Sequence, residues 1–123
     1  MANIFLSYAR EDVGAVEALA GALESAGHTV WWDRYVKGGH EYAPEIERAL
    51  RDADKVVVLW SHNSVASGWV RDEAGLARDT GRLVPATIDG TPAPLGFGQY
   101  QLVDLRGWKG RPMASIPSWR LTA

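Results

Sequence analysis

Cysteine is absent from the 123 residues, and that one absence removes disulfides, thiolate zinc sites and a cysteine nucleophile together. No stretch approaches the roughly 18 consecutive apolar residues of a membrane-spanning helix. Nor do the first residues carry a basic segment followed by an apolar one, so a cytoplasmic setting without membrane attachment is the expectation. An excess of one charge is also lacking: 13 Lys and Arg stand against 15 Asp and Glu, for a net charge of −2. The basic residues form no run, and no nucleic-acid partner is expected. His28, His40 and His62 are too dispersed for a metal site. Neither a phosphate-binding G-x-x-x-x-G-K-[ST] nor a G-x-G-x-x-G after the first strand is present, which speaks against the P-loop and dinucleotide-fold enzymes. No G-x-S-x-G elbow surrounds Ser61 or Ser64, so neither reads as a nucleophile, and lining a loop or capping the third helix is the plainer reading of both.

What is there is a balanced composition, 46% hydrophobic and 23% charged, with room for one domain and one core. Apolar runs predict strands at Asn3–Ser7, Thr29–Trp32, Lys55–Trp60, Leu83–Ile88 and Gln101–Leu105. Pro85 removes a ladder donor and argues against a central place for the fourth. Helical spacing follows Asp12, a candidate N-cap, through Val13, Val16, Leu19, Ala20 and Leu23, with Gly27 placed as a left-handed C-cap. A second helix begins at Pro44 and presents Ile46, Ala49, Leu50 and Ala53, and a third runs from about Val65 to Asp79. Strands alternating with helices imply a parallel sheet covered on both faces, with ligands at the carboxyl ends of the strands.

The third helix carries an anomaly. At about 100° per residue, with Trp69 at zero, Leu76 falls near about 340°, Glu73 near about 40°, Ala77 near about 80° and Val70 near about 100°. Glu73 therefore sits in the middle of the apolar arc, whereas Arg71, Asp72, Arg78 and Asp79 occupy the wet one. A carboxylate so placed needs a partner such as Arg10, or a cleft. Trp69, one turn earlier on the same face, makes a site for a cationic ring or a sugar equally reasonable.

Ile4-Phe5-Leu6-Ser7-Tyr8-Ala9-Arg10-Glu11-Asp12 resembles the first box of TIR domains. Val30-Trp31-Trp32-Asp33 with Gly39 is similar to that family's second strand and BB loop. Ser61-x-x-Ser64-x-x-Ser67-x-Trp69-Val70-x-x-Glu73 is similar to its third-helix signature, and Leu83-Val84-Pro85 matches a strand in which the family often places proline. The resemblance covers residues 1–108. Residues 109–123 read as a C-terminal extension, or as the start of a linker to a sensor or effector domain.

The resemblance implies a flavodoxin-like three-layer α/β sandwich, with a five-stranded parallel sheet and helices on both faces. It implies an NAD+ glycohydrolase that releases nicotinamide and gives ADP-ribose or a cyclic variant, as in bacterial antiphage signalling. Glu73 would be catalytic, NAD+ would be substrate rather than cofactor, and no metal would be needed. Ser7, Tyr8, Ala9, Arg10, Trp32, Asp33, Gly39, Ser61, Ser64 and Trp69 would form the substrate-binding set. Self-association would run through the Asp33–Tyr42 loop. The other reading is a TIR module that only self-assembles, and nucleoside deoxyribosyltransferases, with a similar architecture and a catalytic Glu, are a distant rival.

Overall fold

Alternation along the strands decides which side chains meet. In the computed structural model, which describes residues 2–32, 44–98 and 102–108, strand β1 (Asn3–Ser7) sends Ile4 and Leu6 to one face of the sheet and Phe5 to the other. Strand β3 (Lys55–Trp60) repeats the pattern: Val57 and Leu59 join Ile4 and Leu6, while Val56, Val58 and Trp60 join Phe5. All five β3 residues from Val56 to Trp60 are fully buried, as expected of a parallel strand covered on both faces.

Strands β2 (Thr29–Trp31), β4 (Leu83–Thr87) and β5 (Val103–Asp104) complete a five-stranded parallel sheet in the order β2-β1-β3-β4-β5. The fifth strand is shorter than its sequence suggests, and Gln101 lies outside the described residues. Helix α1 (Val13–Ser25) covers the Ile4–Leu6 face through Val16, Leu19, Ala20 and Leu23. Helices α2 (Pro44–Asp52) and α3 (Gly68–Asp79) cover the opposite face. Right-handed crossovers require this split, because the chain steps from β1 to β2 in one direction and then returns past β1 in the other. The reversal makes the gap between β1 and β3 the switch point, where open α/β sheets hold ligands.

Local signals set the boundaries. Gly27 adopts φ 97°, and the amides of Gly27 and His28 donate to Glu24 O and Leu23 O, a Schellman stop. Helix α3 begins at Gly68 rather than near Val65, because Ser67 is its cap and accepts from Val70 N at 3.3 Å; a short 3-10 turn, Ser64–Ala66, precedes it.

Pro85 sits inside β4, between β3 and β5, against the expectation of a peripheral strand. The reason is register. Ile88 N donates to Trp60 O and Arg82 O accepts from Val56 N, so even-numbered residues turn their polar groups to β3. Pro85 turns its nitrogen the other way, and pairing with β5 begins only at Ala86. The β3–β4 ladder thus loses nothing.

Helix α2 ends against the guanidinium of Arg82, which donates to the carbonyls of Leu50 and Ala53 at 2.8 Å each and of Arg51 at 3.4 Å. A cation at a helix C-terminus satisfies orphan carbonyls and opposes the helix dipole. No helix among the described residues is long and apolar enough to cross a membrane. Replacing Arg82 by Ala is expected to lower stability by about 1–3 kcal/mol, read as a shifted urea midpoint; an unchanged midpoint would show that water serves those carbonyls equally well.

Candidate active site

The inner stripe of α3 consists of Val70, Glu73, Ala74 and Ala77. Glu73 is only 5% exposed and Ser7, the last residue of β1, only 2%. Ser7 Oγ donates to Glu73 Oε1 at 2.6 Å, within the short range of hydrogen bonds to an ionised acceptor. The bond offsets part of the desolvation that burial imposes on a carboxylate. Arg10, the partner that the sequence suggested, is exposed on the turn that follows, and Ser7 takes that place.

Trp69 and Leu76 flank Glu73 on α3 and are 38% and 39% exposed. They open into a cleft of about 280 Å³ between α2 and α3, walled by Ile46 and Leu50, with Glu73 in its lining and Glu47, Arg51 and Asp72 along it. Arg51 and Glu47 pair at 2.7 Å. The side-chain order read from the helix is therefore right, but Trp69 and Leu76 border the cleft while the centre of the buried arc lies nearer Val70 and Ala77. An aromatic ring, aliphatic walls and the buried Glu73 carboxylate, with Glu47 and Asp72 along the cleft as well, suit a planar cationic ring joined to a sugar.

The neighbouring loop is held by its own hydroxyls. Ser61 Oγ donates to Asp12 Oδ2 at 2.6 Å and accepts from the amides of Asn63 and Ser64 at 3.2 and 3.1 Å. Ser64 Oγ donates to Leu59 O and accepts from Ser61 N, both at 2.8 Å. One proton and two lone pairs are all that a hydroxyl has. Ser61 and Ser64, expected among the substrate contacts, are thus committed to shaping the loop and are 1% and 0% exposed. Asp12 also departs from expectation: it makes no side-chain cap on α1 and instead holds Ser61 and, at 3.1 Å, Asn63 Nδ2. That latch joins the turns after β1 and β3 across the switch point. No sequence rule marked Asn63.

The remaining expected site residues divide by face. Tyr8 and Trp32 sit in the core on the α1 side, ring centroids 6.3 Å apart, away from the Glu73 cleft, because Tyr8 and Trp32 alternate with Ser7 and Trp31. Trp31 is the one on the Glu73 side, stacked on Phe5 at 5.0 Å. Ala9 is buried. Asp33, Gly39 and the whole 33–42 loop lie outside the described residues. The structure thus brings together Ser7, Trp69 and Glu73. Among the described residues, no group of three or more His, Asp or Glu is arranged to hold a metal.

At the far rim, Asp89 accepts from His62 Nδ1 at 2.9 Å, from His62 N at 3.0 Å and, on its other oxygen, from Thr91 N at 3.0 Å. Hydrogen bonding, that of Thr91 foremost and then that of the His62 amide, holds the Asp89 carboxyl far below the ordinary 3.8. A depressed carboxylate contributes stability that is present above its unfolded value and is lost as pH falls through the folded one. The stability advantage of the wild type over Asp89→Asn is therefore expected to be full near neutrality and to shrink below about pH 4; a difference constant with pH would contradict it. Ser64→Ala, which leaves the buried Ser61 amide without its acceptor, is expected to cost about 1–3 kcal/mol by denaturant titration.

Comparison with known proteins places this geometry. The family model described as TIR domain matches residues 4–116. A putative disease resistance protein of Arabidopsis thaliana is 33% identical over 73 residues, 58% of this chain but only 7% of that protein, so the chain spans a small part of its length. The TIR domain of the Toll-related receptor TRR-2 of Hydra magnipapillata superposes with a TM-score of 0.72 at 18% identity, covering 85% of this chain and 84% of that one. A TIR-STING receptor from C. gigas, solved with 2′,3′-cGAMP, gives 0.71 at 21%, over 87% of this chain and 36% of the other. The TIR domains of the activated Roq1 resistosome give 0.58 at 26%, over 75% and 60%. With sheet order, switch point and family model in agreement, this chain belongs to the TIR domain family.

Proposed function

We propose that this TIR domain is an NAD+ glycohydrolase in which Glu73 is the catalytic carboxylate. The observation that carries the reading is a buried, hydrogen-bonded glutamate at the switch point of the sheet, in the lining of a cleft that Trp69 also lines. At about 280 Å³ the cleft is near the lower end of ligand pockets, about 300–1,000 Å³, and fits the nicotinamide-ribose end of a dinucleotide. Trp69 would stack on the cationic ring.

The chemistry asks little of the protein. The nicotinamide of NAD+ is already a pyridinium, so it leaves without a general acid. As the C1′–N bond breaks, its electron pair goes to the ring nitrogen and the ribose becomes oxocarbenium-like, as in glycoside hydrolysis. The Glu73 carboxylate stabilises that developing charge and accepts hydrogen bonds from the ribose hydroxyls. Water adds to C1′ and loses a proton to solvent, giving ADP-ribose; attack by a group of the same molecule gives a cyclic product. Arg10, exposed at the end of β1, is suited to the pyrophosphate. NAD+ is consumed, and the proposed reaction uses no cofactor.

A second reading, self-assembly without turnover, draws on the Roq1 resistosome, an assembly whose TIR domains share 26% identity with this chain. Both readings allow a cytoplasmic signalling role, antiphage defence among them, self-association through residues 33–42, and fusion to a further domain. In concentrated protein incubated with NAD+, Glu73→Gln is expected to lower nicotinamide release by on the order of 10²-fold or more. Equal release by wild type and variant sinks the catalytic role, and none from either favours the assembly module.

A further inference from the structure

Ser7 was expected among the residues that touch substrate, but its geometry assigns it elsewhere. We propose that Ser7 is a positioning residue, whose hydroxyl fixes the rotamer of Glu73 and makes no substrate contact; this rests on the reading of Glu73 as the catalytic group. A glutamate side chain has three rotatable torsions and can point its carboxylate in many directions from one backbone position. Ser7 has one, and its backbone is held rigidly at the end of β1, paired with Val58 of β3. The rigid partner therefore sets the direction of the flexible one. The single hydroxyl proton of Ser7 goes to Glu73 Oε1 at 2.6 Å, and at 2% exposure the side chain offers a ligand no open approach. Period-two alternation puts Ser7 on the same face as Phe5, a face otherwise filled by Phe5, Val56, Val58 and Trp60. A hydroxyl at that place, under the one buried carboxylate of α3, gives α3 a fixed point on the sheet.

The test uses the whole chain as wild type, Ser7→Ala, Ser7→Cys and Glu73→Gln, with nicotinamide release followed over a range of NAD+ concentrations and melting curves as a folding control. Ser7→Ala is expected to lose about 10- to 100-fold in kcat with KM changed less than about threefold, since displacing a reacting group by about 1 Å costs that much. Ser7→Cys, close in size and a weaker donor, is expected to fall between the two; it takes the place of Ser7→Ala if the alanine variant does not fold. Crystal structures of wild type and Ser7→Ala supply a readout independent of turnover: the Glu73 carboxylate is expected to leave its position in the variant. A rise in KM alone, or a Glu73 carboxylate unmoved in Ser7→Ala, overturns the positioning role and leaves the glycohydrolase reading standing. Wild-type turnover equal to that of Glu73→Gln overturns the glycohydrolase reading instead, while the crystallographic comparison still decides whether Ser7 holds Glu73.

Discussion

A carboxylate at 5% exposure needs a partner, and in this chain the end of β1 supplies one: Ser7 Oγ reaches Glu73 Oε1 at 2.6 Å. The bond ties α3 to the sheet at the point where the strand order reverses. It could not form if β1 were shifted by one residue, because Ser7 would then face α1 and Glu73 would lie against a different side chain. The register of β1 against β3, Ser7 beside Val58, is therefore a condition for the site as well as for the core.

The two faces of the sheet serve different ends. On the α1 side, Tyr8 and Trp32 fill space with Ile4, Leu6 and Leu59, and large rings there stabilise by area buried. On the α2–α3 side the core gives way to a cleft at Trp69, Glu73 and Leu76. Between the strand ends, Asp12 receives Ser61 and Asn63, so the turn after β1 and the turn after β3 keep a fixed relation. A site built across two loops depends on such a tie, because loop backbones have few ladder bonds of their own.

Much of this was legible in the sequence, and for identifiable reasons. The continuous run Val56–Leu59 and the alternation of helical and strand periods led to a parallel sheet covered on both faces, whereas the strand order β2-β1-β3-β4-β5 comes from the structure. The place of Glu73 on an otherwise apolar arc marked it before any coordinates. Other features depend on tertiary partners and left no local sign. Asp12 has the right position for a cap but finds better partners in Ser61 and Asn63. Ser61 and Ser64 read as residues that line a loop or cap the third helix; the loop does use their hydroxyls, but the cap is Ser67. Pro85 argued for an outer strand, because a propensity rule does not know which side of the strand its nitrogen faces. The contact of Ser7 with Glu73 was legible in principle, since strand alternation puts Ser7 on the face of Phe5 and hence under α3, the helix that carries Glu73.

The central claim is that the Glu73 carboxylate meets the ribose carbon that loses nicotinamide. A crystal structure of Glu73→Gln with NAD+ tests it most directly. The account predicts the nicotinamide ring against Trp69, with the ribose hydroxyls within hydrogen-bond reach, about 3 Å, of the residue 73 side chain. A dinucleotide bound away from that cleft would contradict it, as would a crystal soaked in NAD+ whose cleft stays empty.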